Sequence, residues 1–360
     1  MINTHKRPAD DSRPVAYWLW LVCTLIIMMV AVGGITRLTG SGLSIADWNP
    51  IMGAIPPRNE MEWQKAFDLY QQNATAQYEQ FRRNLGEMSL SDFQEIYFWE
   101  YIHRLLGRFI GLAYALPLIG FWVRGRVKGS LRWKLLLGLI LGGGQGFLGW
   151  FMVRSGFADL PRVSHFRLAA HLSMALLLFS YLLWIVLDLN PFWTHRKTNY
   201  HSVVRLRRYS LLFLGLLSLQ IVYGAFTAGL QAGHMYNTYP LMGGRFFPET
   251  RWNLFTDPAA VQFVHRHLGL AVVIALVTLW LYAQTHRLMV RQKLGFNLLF
   301  VCGILQFVLG MVTLVSGVQL HVAVAHQVMA CLLLGSAVLT VHELIEPAGK
   351  LYPNPLKESS

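Results

Sequence analysis

The chain has 360 residues, 54% of them hydrophobic and only 14% charged, against about 25% charged in an ordinary soluble domain. This balance excludes a water-soluble globular enzyme and points to a protein that crosses a lipid bilayer several times. The formal net charge of +13 then reads as basic loops that orient the spans, and no nucleic-acid partner is expected.

The N-terminal stretch carries Lys6, Arg7 and Arg13 but also Asp10 and Asp11. It lacks the Arg/Ser-rich amphipathic character of an organelle transit peptide, and no small-residue cleavage site follows the first apolar run. A retained first helix in a bacterial protein is expected. A spanning helix needs about 20 apolar residues. Eight runs qualify: 17–36, 96–123, 133–153, 168–187, 209–229, 259–282, 294–316 and 321–342. Trp18, Trp20, Trp99, Trp122 and Trp133 fall near run ends, where interfacial aromatics belong.

The loops set the orientation. Residues 124–134 hold Arg124, Arg126, Lys128, Arg132 and Lys134 without an acid; 188–208 hold Arg196, Lys197, Arg205, Arg207 and Arg208 against Asp188; 286–293 hold Arg287, Arg291 and Lys293. These loops and both termini should be cytoplasmic. The segment 37–95, with eight acids and five bases, should lie outside. Pro50, Pro56 and Pro57 break its early part, and Trp63, Phe67 and Tyr70 predict an amphipathic surface helix. Ser91-x-x-Gln94 resembles a capping box leading into the second span. Cys23, Cys302 and Cys331 all sit in apolar runs with no CxxC spacing, so neither a disulfide nor a zinc site is expected.

The chain is duplicated. Gly33–Thr36 matches Gly224–Thr227, Gly42 matches Gly233, and Pro50–Gly53 matches Pro240–Gly243. Gln145-x-x-x-Gly149 matches Gln306-x-x-x-Gly310, Ser155-Gly156 matches Ser316-Gly317, and Ala170-His171 matches Ala325-His326. The expected fold is an all-α integral membrane protein of eight transmembrane helices. They form two tandem four-helix bundles related by pseudo-two-fold symmetry along the membrane normal. The expected parts are a cytoplasmic segment 1–16, an N-terminal half 17–187, a cytoplasmic linker 188–208, a C-terminal half 209–342 and a cytoplasmic tail 343–360.

The chemistry concentrates at Glu100-Tyr-Ile-His103-Arg104-Leu-Leu-Gly107-Arg108 and at its repeat Gln262-Phe-Val-His265-Arg266-His-Leu-Gly269. An ionisable side chain inside a bilayer is costly and marks function by default. His103, His171, His265 and His326 each lie a few residues into a span that enters from the outside, at a depth of roughly 5–12 Å. Two imidazoles from facing helices can hold one haem iron axially, and Gly107, Gly111, Ala169, Ala170, Gly269 and Ala325 leave room for a flat macrocycle. A di-iron site is disfavoured, because only Glu100-x-x-His103 has the required spacing. A di-haem b cytochrome passing electrons to quinone and a transporter with proton-relaying histidines stay open. Arg104, Arg108 and Arg266 read as partners of propionates or acids; Arg37 and His234 sit at outer span ends. His267 and His321 lack counterparts in the other half, His165 reads as a loop residue, and His286 lies on the cytoplasmic side.

The run Gly33-x-x-Thr-Arg-Leu-Thr-x-Ser-Gly-Leu-Ser44, followed by Asp47-Trp48 and Pro50, resembles the haem A synthase (Cox15/CtaA) family, as do the Glu100–Arg108 stretch and His265-Arg266. The resemblance covers residues 17–342 and the branch without outer-loop cysteine pairs. It implies oxidation of the C8 methyl of haem O to a formyl group by two successive hydroxylations, giving haem A for cytochrome oxidase assembly. Water would be the oxygen source. It also implies a resident haem b held by His265 and His326, with Arg266 nearby. The substrate haem would be held by His103 and His171, with Arg104 and Arg108. The haem O donor would be a haem O synthase (a protohaem farnesyltransferase), and homo-oligomers are possible. The half that removes protons should carry a carboxylate, so Glu100 is the candidate catalytic residue and Gln262 its neutral counterpart.

Overall fold

The computed structural model describes residues 9–45, 55–77, 88–157, 163–189 and 200–345. The motif residues Asp47, Trp48 and Pro50–Gly53, the loop bases Arg196 and Lys197, and most of the expected terminal segments lie outside them.

Nine α-helices form among the described residues: α1 Ala9–Leu38, α2 Glu60–Gln77, α3 Leu90–Val123, α4 Gly129–Arg154, α5 His165–Leu189, α6 Tyr200–Gly229, α7 Pro258–Gln284, α8 Val290–Val315 and α9 Leu320–Glu343. All but α2 contain a segment long and apolar enough to cross a membrane. Helix is the form in which a single segment satisfies its own backbone polar groups in lipid. The eight predicted runs correspond one to one with these helices.

Two boundaries differ from expectation. The α3 cap is Ser89, whose hydroxyl accepts from the Asp92 N–H while the Asp92 side chain accepts from the Ser89 N–H; Ser91-x-x-Gln94 lies inside the helix. The carboxylate at the third helical position closes the box two residues earlier. His165 is the first residue of α5, not part of the loop before it. Helix α2 does carry Trp63, Phe67 and Tyr70 on one face, and that face packs on Phe93 and Tyr97 of α3.

Within residues 9–189, α1 packs on α3 and α5, and α4 packs on the same two, closing a ring. Helices α3 and α5 therefore stand across from each other. Within residues 200–345, α6 and α8 each pack on α7 and α9, and α7 and α9 stand across the ring. Between the rings the contacts are α5 with α6, α1 with α9, and α5 with α9. Matching 3-10 turns follow α1 and α6, at Ser41–Leu43 and Ala232–His234. Each is entered through a left-handed residue, Gly40 and Gln231.

The apolar core is uneven along each ring. In the first, the buried cluster runs through Leu19, Val22 and Ile26 of α1, Tyr114 and Leu118 of α3, Leu135 of α4 and Leu178–Leu187 of α5. In the second it runs through Leu206, Phe213 and Leu217 of α6, Leu276 and Leu279 of α7, Phe296 and Leu299 of α8, and Leu333, Leu334 and Ala337 of α9. Each core fills the end of its ring away from the four histidines. His171 and His326 lie seven residues before Leu178 and Leu333, about 10 Å along a helix.

Candidate haem-binding site

Each of the four histidines rests on a glycine of the neighbouring helix. A Cβ added at Gly33 would come 3.0 Å from His103 Cε1, and one at Gly149 3.0 Å from His171 Cε1; the matching figures are 3.2 Å for Gly224 and His265, and 2.9 Å for Gly310 and His326. A Cβ essentially never sits under 3.0 Å from a neighbour, as one at Gly310 would, and contacts of 3.0–3.4 Å are tighter than nine in ten, so glycine lets the rings sit this close. These are the same glycines that recur between the halves. The repeat Gln145-x-x-x-Gly149 thereby acquires a physical meaning that sequence reading alone missed.

The histidines pair across each ring, from α3 and α5 and from α7 and α9. His171 lies within electrostatic reach of His103, and His326 of His265. The Nδ1 atoms of His103 and His265 are buried and make no hydrogen bond. Gln145 Nε2 is 3.2 Å from His171 Nδ1. Gln306 Nε2 is 3.4 Å from His326 Nε2, and His326 Nδ1 is 3.2 Å from the Gln306 carbonyl. A histidine whose Nδ1–H donates to a backbone carbonyl presents Nε2 as a metal ligand. Each half thus holds one buried imidazole nitrogen without a hydrogen-bond partner, on His103 and on His265, opposite a second imidazole that a glutamine contacts.

Glu100 is buried, and three donors hold it. Ser44 Oγ and the Ile45 N–H donate to Oε2 at 2.7 and 2.9 Å, and Arg104 Nη2 donates to Oε1 at 2.7 Å. Arg104 also donates to the Ile45 carbonyl at 2.8 Å. A buried carboxylate is tolerated only with such compensation. The group thus staples the start of the outer loop to α3 one helical turn from His103. Helix α2 roofs this staple: burial, and then the Glu100 charge, push the Tyr70 phenol above its ordinary value.

The second half repeats the staple with reversed polarity. Gln262 Nε2 donates to the Tyr236 carbonyl at 3.0 Å, and Arg266 donates to the carbonyls of Tyr236 and Thr238. Tyr236 corresponds to Ile45. The acid accepts from the turn's N–H, whereas the amide gives to its carbonyl. Arg108 is half-buried, within electrostatic reach of Arg104, Tyr97 and Tyr101; the second half has Leu270 in its place.

The remaining polar candidates have other partners. Arg37 Nη1 donates to the Ala228 carbonyl at 3.1 Å, joining α1 to the end of α6. His165 Nε2 lies 2.9 Å from the Phe255 carbonyl. His267 Nδ1 lies 2.8 Å from the Phe263 carbonyl, and His286 Nδ1 2.8 Å from the Tyr282 carbonyl. His234 and His321 are exposed.

The two sites differ in room. Gly111, Gly142, Gly143 and Gly146 are exposed, and Cβ atoms added there meet nothing within 4 Å. The matching residues of the second half are Val273, Gly303, Ile304 and Phe307, and Leu276 covers Gly303. Tyr114, which matches Leu276, reaches further along to donate to the Leu135 carbonyl at 2.8 Å.

Residues 16–338 match the COX15-CtaA family, described as cytochrome oxidase assembly protein. A "Heme A synthase" of Flavobacterium johnsoniae is 40% identical over 93% of this chain and 98% of its own length. One of Rhodospirillum centenum is 44% identical over 95% of this chain and 91% of its own. One of Granulibacter bethesdensis is 45% identical over 92% of this chain and 87% of its own.

Proposed function

Because this chain belongs to the COX15-CtaA family of cytochrome oxidase assembly proteins, we propose that it is a haem A synthase, a multi-pass membrane oxidoreductase that converts haem O to haem A. The C8 methyl becomes a formyl group through two hydroxylations. Each takes its oxygen from water and releases a pair of electrons and a pair of protons, and the second product then loses water. The observation that carries the reading is the glycine-seated imidazole pair in each half, with His103 Nδ1 and His265 Nδ1 buried and unbonded.

The two halves divide the work. His265 and His326 would hold a resident haem b, with Arg266 one residue from His265; this group, when bound, would supply a one-electron redox centre. His103 and His171 hold the substrate haem, with Arg104 and Arg108 on the propionate side. The glycines Gly111, Gly142, Gly143 and Gly146 support that order, since haem O carries a long isoprenoid chain that haem b lacks and the second half carries Val273, Ile304 and Phe307 at three of the four places. Glu100, one turn from His103, is the residue that accepts or orients a proton near the reacting methyl, while it and Arg104 keep the outer turn closed over the pocket. The exchange of Glu100 for Gln262 favours this division over a symmetric di-haem cytochrome. The helix pairing between the rings supports two bundles, residues 17–187 and 209–342, because a two-fold axis along the membrane normal would exchange α5–α6 with α1–α9. The basic loops support termini on the cytoplasmic side of a bacterial inner membrane, and a haem O synthase would be the donor.

The test is co-expression with a haem O synthase, followed by chromatography of haems extracted from the membranes. Haem A should appear with the wild-type chain and vanish with His103→Ala, while the b-type spectrum of the purified His103→Ala protein persists. Survival of that spectrum in both His265→Ala and His326→Ala would refute the division.

A further inference from the structure

Gly33 and Gly34 of α1 serve different halves. Gly33 seats the ring of His103. Gly34 seats Gln327 of α9, whose Oε1 would lie 2.7 Å from a Cβ added there. Gln327 Nε2 donates to the Val30 carbonyl at 2.9 Å, one turn before Gly34. Gln327 directly follows His326. One side chain therefore runs from the helix that carries a histidine of the second site to the wall of the first.

The opposite seam, α5 against α6, lacks the means for such a bond. The residues that match Gln327, Gly34 and Val30 are Leu172, Ala225 and Ile221. Ala225 is buried in an apolar cluster against which Leu172 packs. Two positions thus change together. Glycine replaces alanine and makes space, and glutamine replaces leucine and fills that space with a donor. Hydrogen bonds between spans are short-range fasteners of this kind.

We propose that Gln327 is a positioning residue that locks the α1 wall of the His103–His171 pocket in register with the helix bearing His326. The bond keeps the two haem sites at a fixed separation, across which the electrons of methyl oxidation must pass. This rests on the reading that the four histidines hold haems.

The experiment uses the full chain purified with its resident haem. The variants are Gln327→Leu and the double variant Gln327→Leu/Gly34→Ala, which rebuilds the apolar packing of the opposite seam. The double variant should keep the absorption spectrum and midpoint potential of the resident haem, and its affinity for added haem O. With a soluble one-electron acceptor added in excess to take the two electrons of each hydroxylation from the resident haem, the rate of haem O methyl oxidation should fall about 10–100-fold, the scale of a misplacement near 1 Å. A wild-type rate in the double variant would overturn the proposal and leave Gln327 as packing. Loss of the resident haem from both variants would also overturn it, because Gln327 would then support His326 itself. A wild-type protein that binds no haem would instead sink the underlying reading.

Discussion

The imidazole of His326 lies against the backbone of Gly310, where an added Cβ would fall 2.9 Å from Cε1. His103 stands to Gly33 in the same way, at 3.0 Å. The pairs belong to different halves, so the same small change should have separable effects.

Gly310→Ala should displace His326 and weaken the b-type spectrum of the purified protein. Gly33→Ala should leave that spectrum intact and lower haem A formation. Overpacking of this kind costs roughly 1–3 kcal/mol, enough to lower occupancy without unfolding eight spans. Equal loss of resident haem in both variants would contradict the division of sites.

Glu100→Gln replaces a carboxylate that accepts from Ser44, Ile45 and Arg104 with a group that must also donate. The second half tolerates glutamine there by giving to the Tyr236 carbonyl, so the bundle should survive with resident haem bound. Turnover should fall by about 10²–10⁴ if Glu100 handles a proton, with haem O or a singly hydroxylated product accumulating in the extracted haems. Normal haem A at normal protein level would reduce Glu100 to a loop staple.

Gly143→Leu adds bulk to the glycine-rich face of α4 beside Gln145, where an added Cβ meets nothing within 4 Å. The second half carries Ile304 there, so the helix itself accepts a large side chain. KM for haem O should rise by roughly 10–100-fold, the scale of a blocked apolar contact, with resident haem unchanged. An unchanged KM would mean that the isoprenoid chain leaves the pocket by another route.

Asp257 caps α7, accepting from the N–H groups of Ala259 and Ala260 at 2.9 and 3.2 Å. Partial burial pushes its carboxyl upward. Hydrogen bonds from the Thr250 side chain and the backbone of Ala260, Arg251 and Ala259 outweigh that and hold it below the ordinary carboxylate value. A depressed folded value means that the cap contributes above about pH 4, the unfolded value, and is lost as pH falls through the lower folded one. Asp257→Ala should cost about 1 kcal/mol at neutral pH and flatten the acid limb of resident-haem retention. An identical acid limb in wild type and variant would remove Asp257 from that transition.

The amino-acid sequence by itself determined the eight spans, because a bilayer leaves a long apolar run no other backbone solution. It also determined the duplication and the four histidines, since His103 and His265 stand in repeated stretches and His171 and His326 follow matching alanines. Only the tertiary structure decided what those residues meet. The glycine seats were visible as repeats but not as seats, because each lies on a different helix from its histidine, and that adjacency comes from ring closure. Glu100 was legible as a buried acid; its donors at Ser44 and Ile45 come from a turn 55 residues earlier, brought over by the 3-10 fold-back after α1. The bond from Gln327 to Val30 spans 297 residues and joins two halves whose repeat pattern carries leucine at the matching place. Local periodicity records what one helix buries, whereas contacts between helices distant in sequence depend on how the rings close and dock.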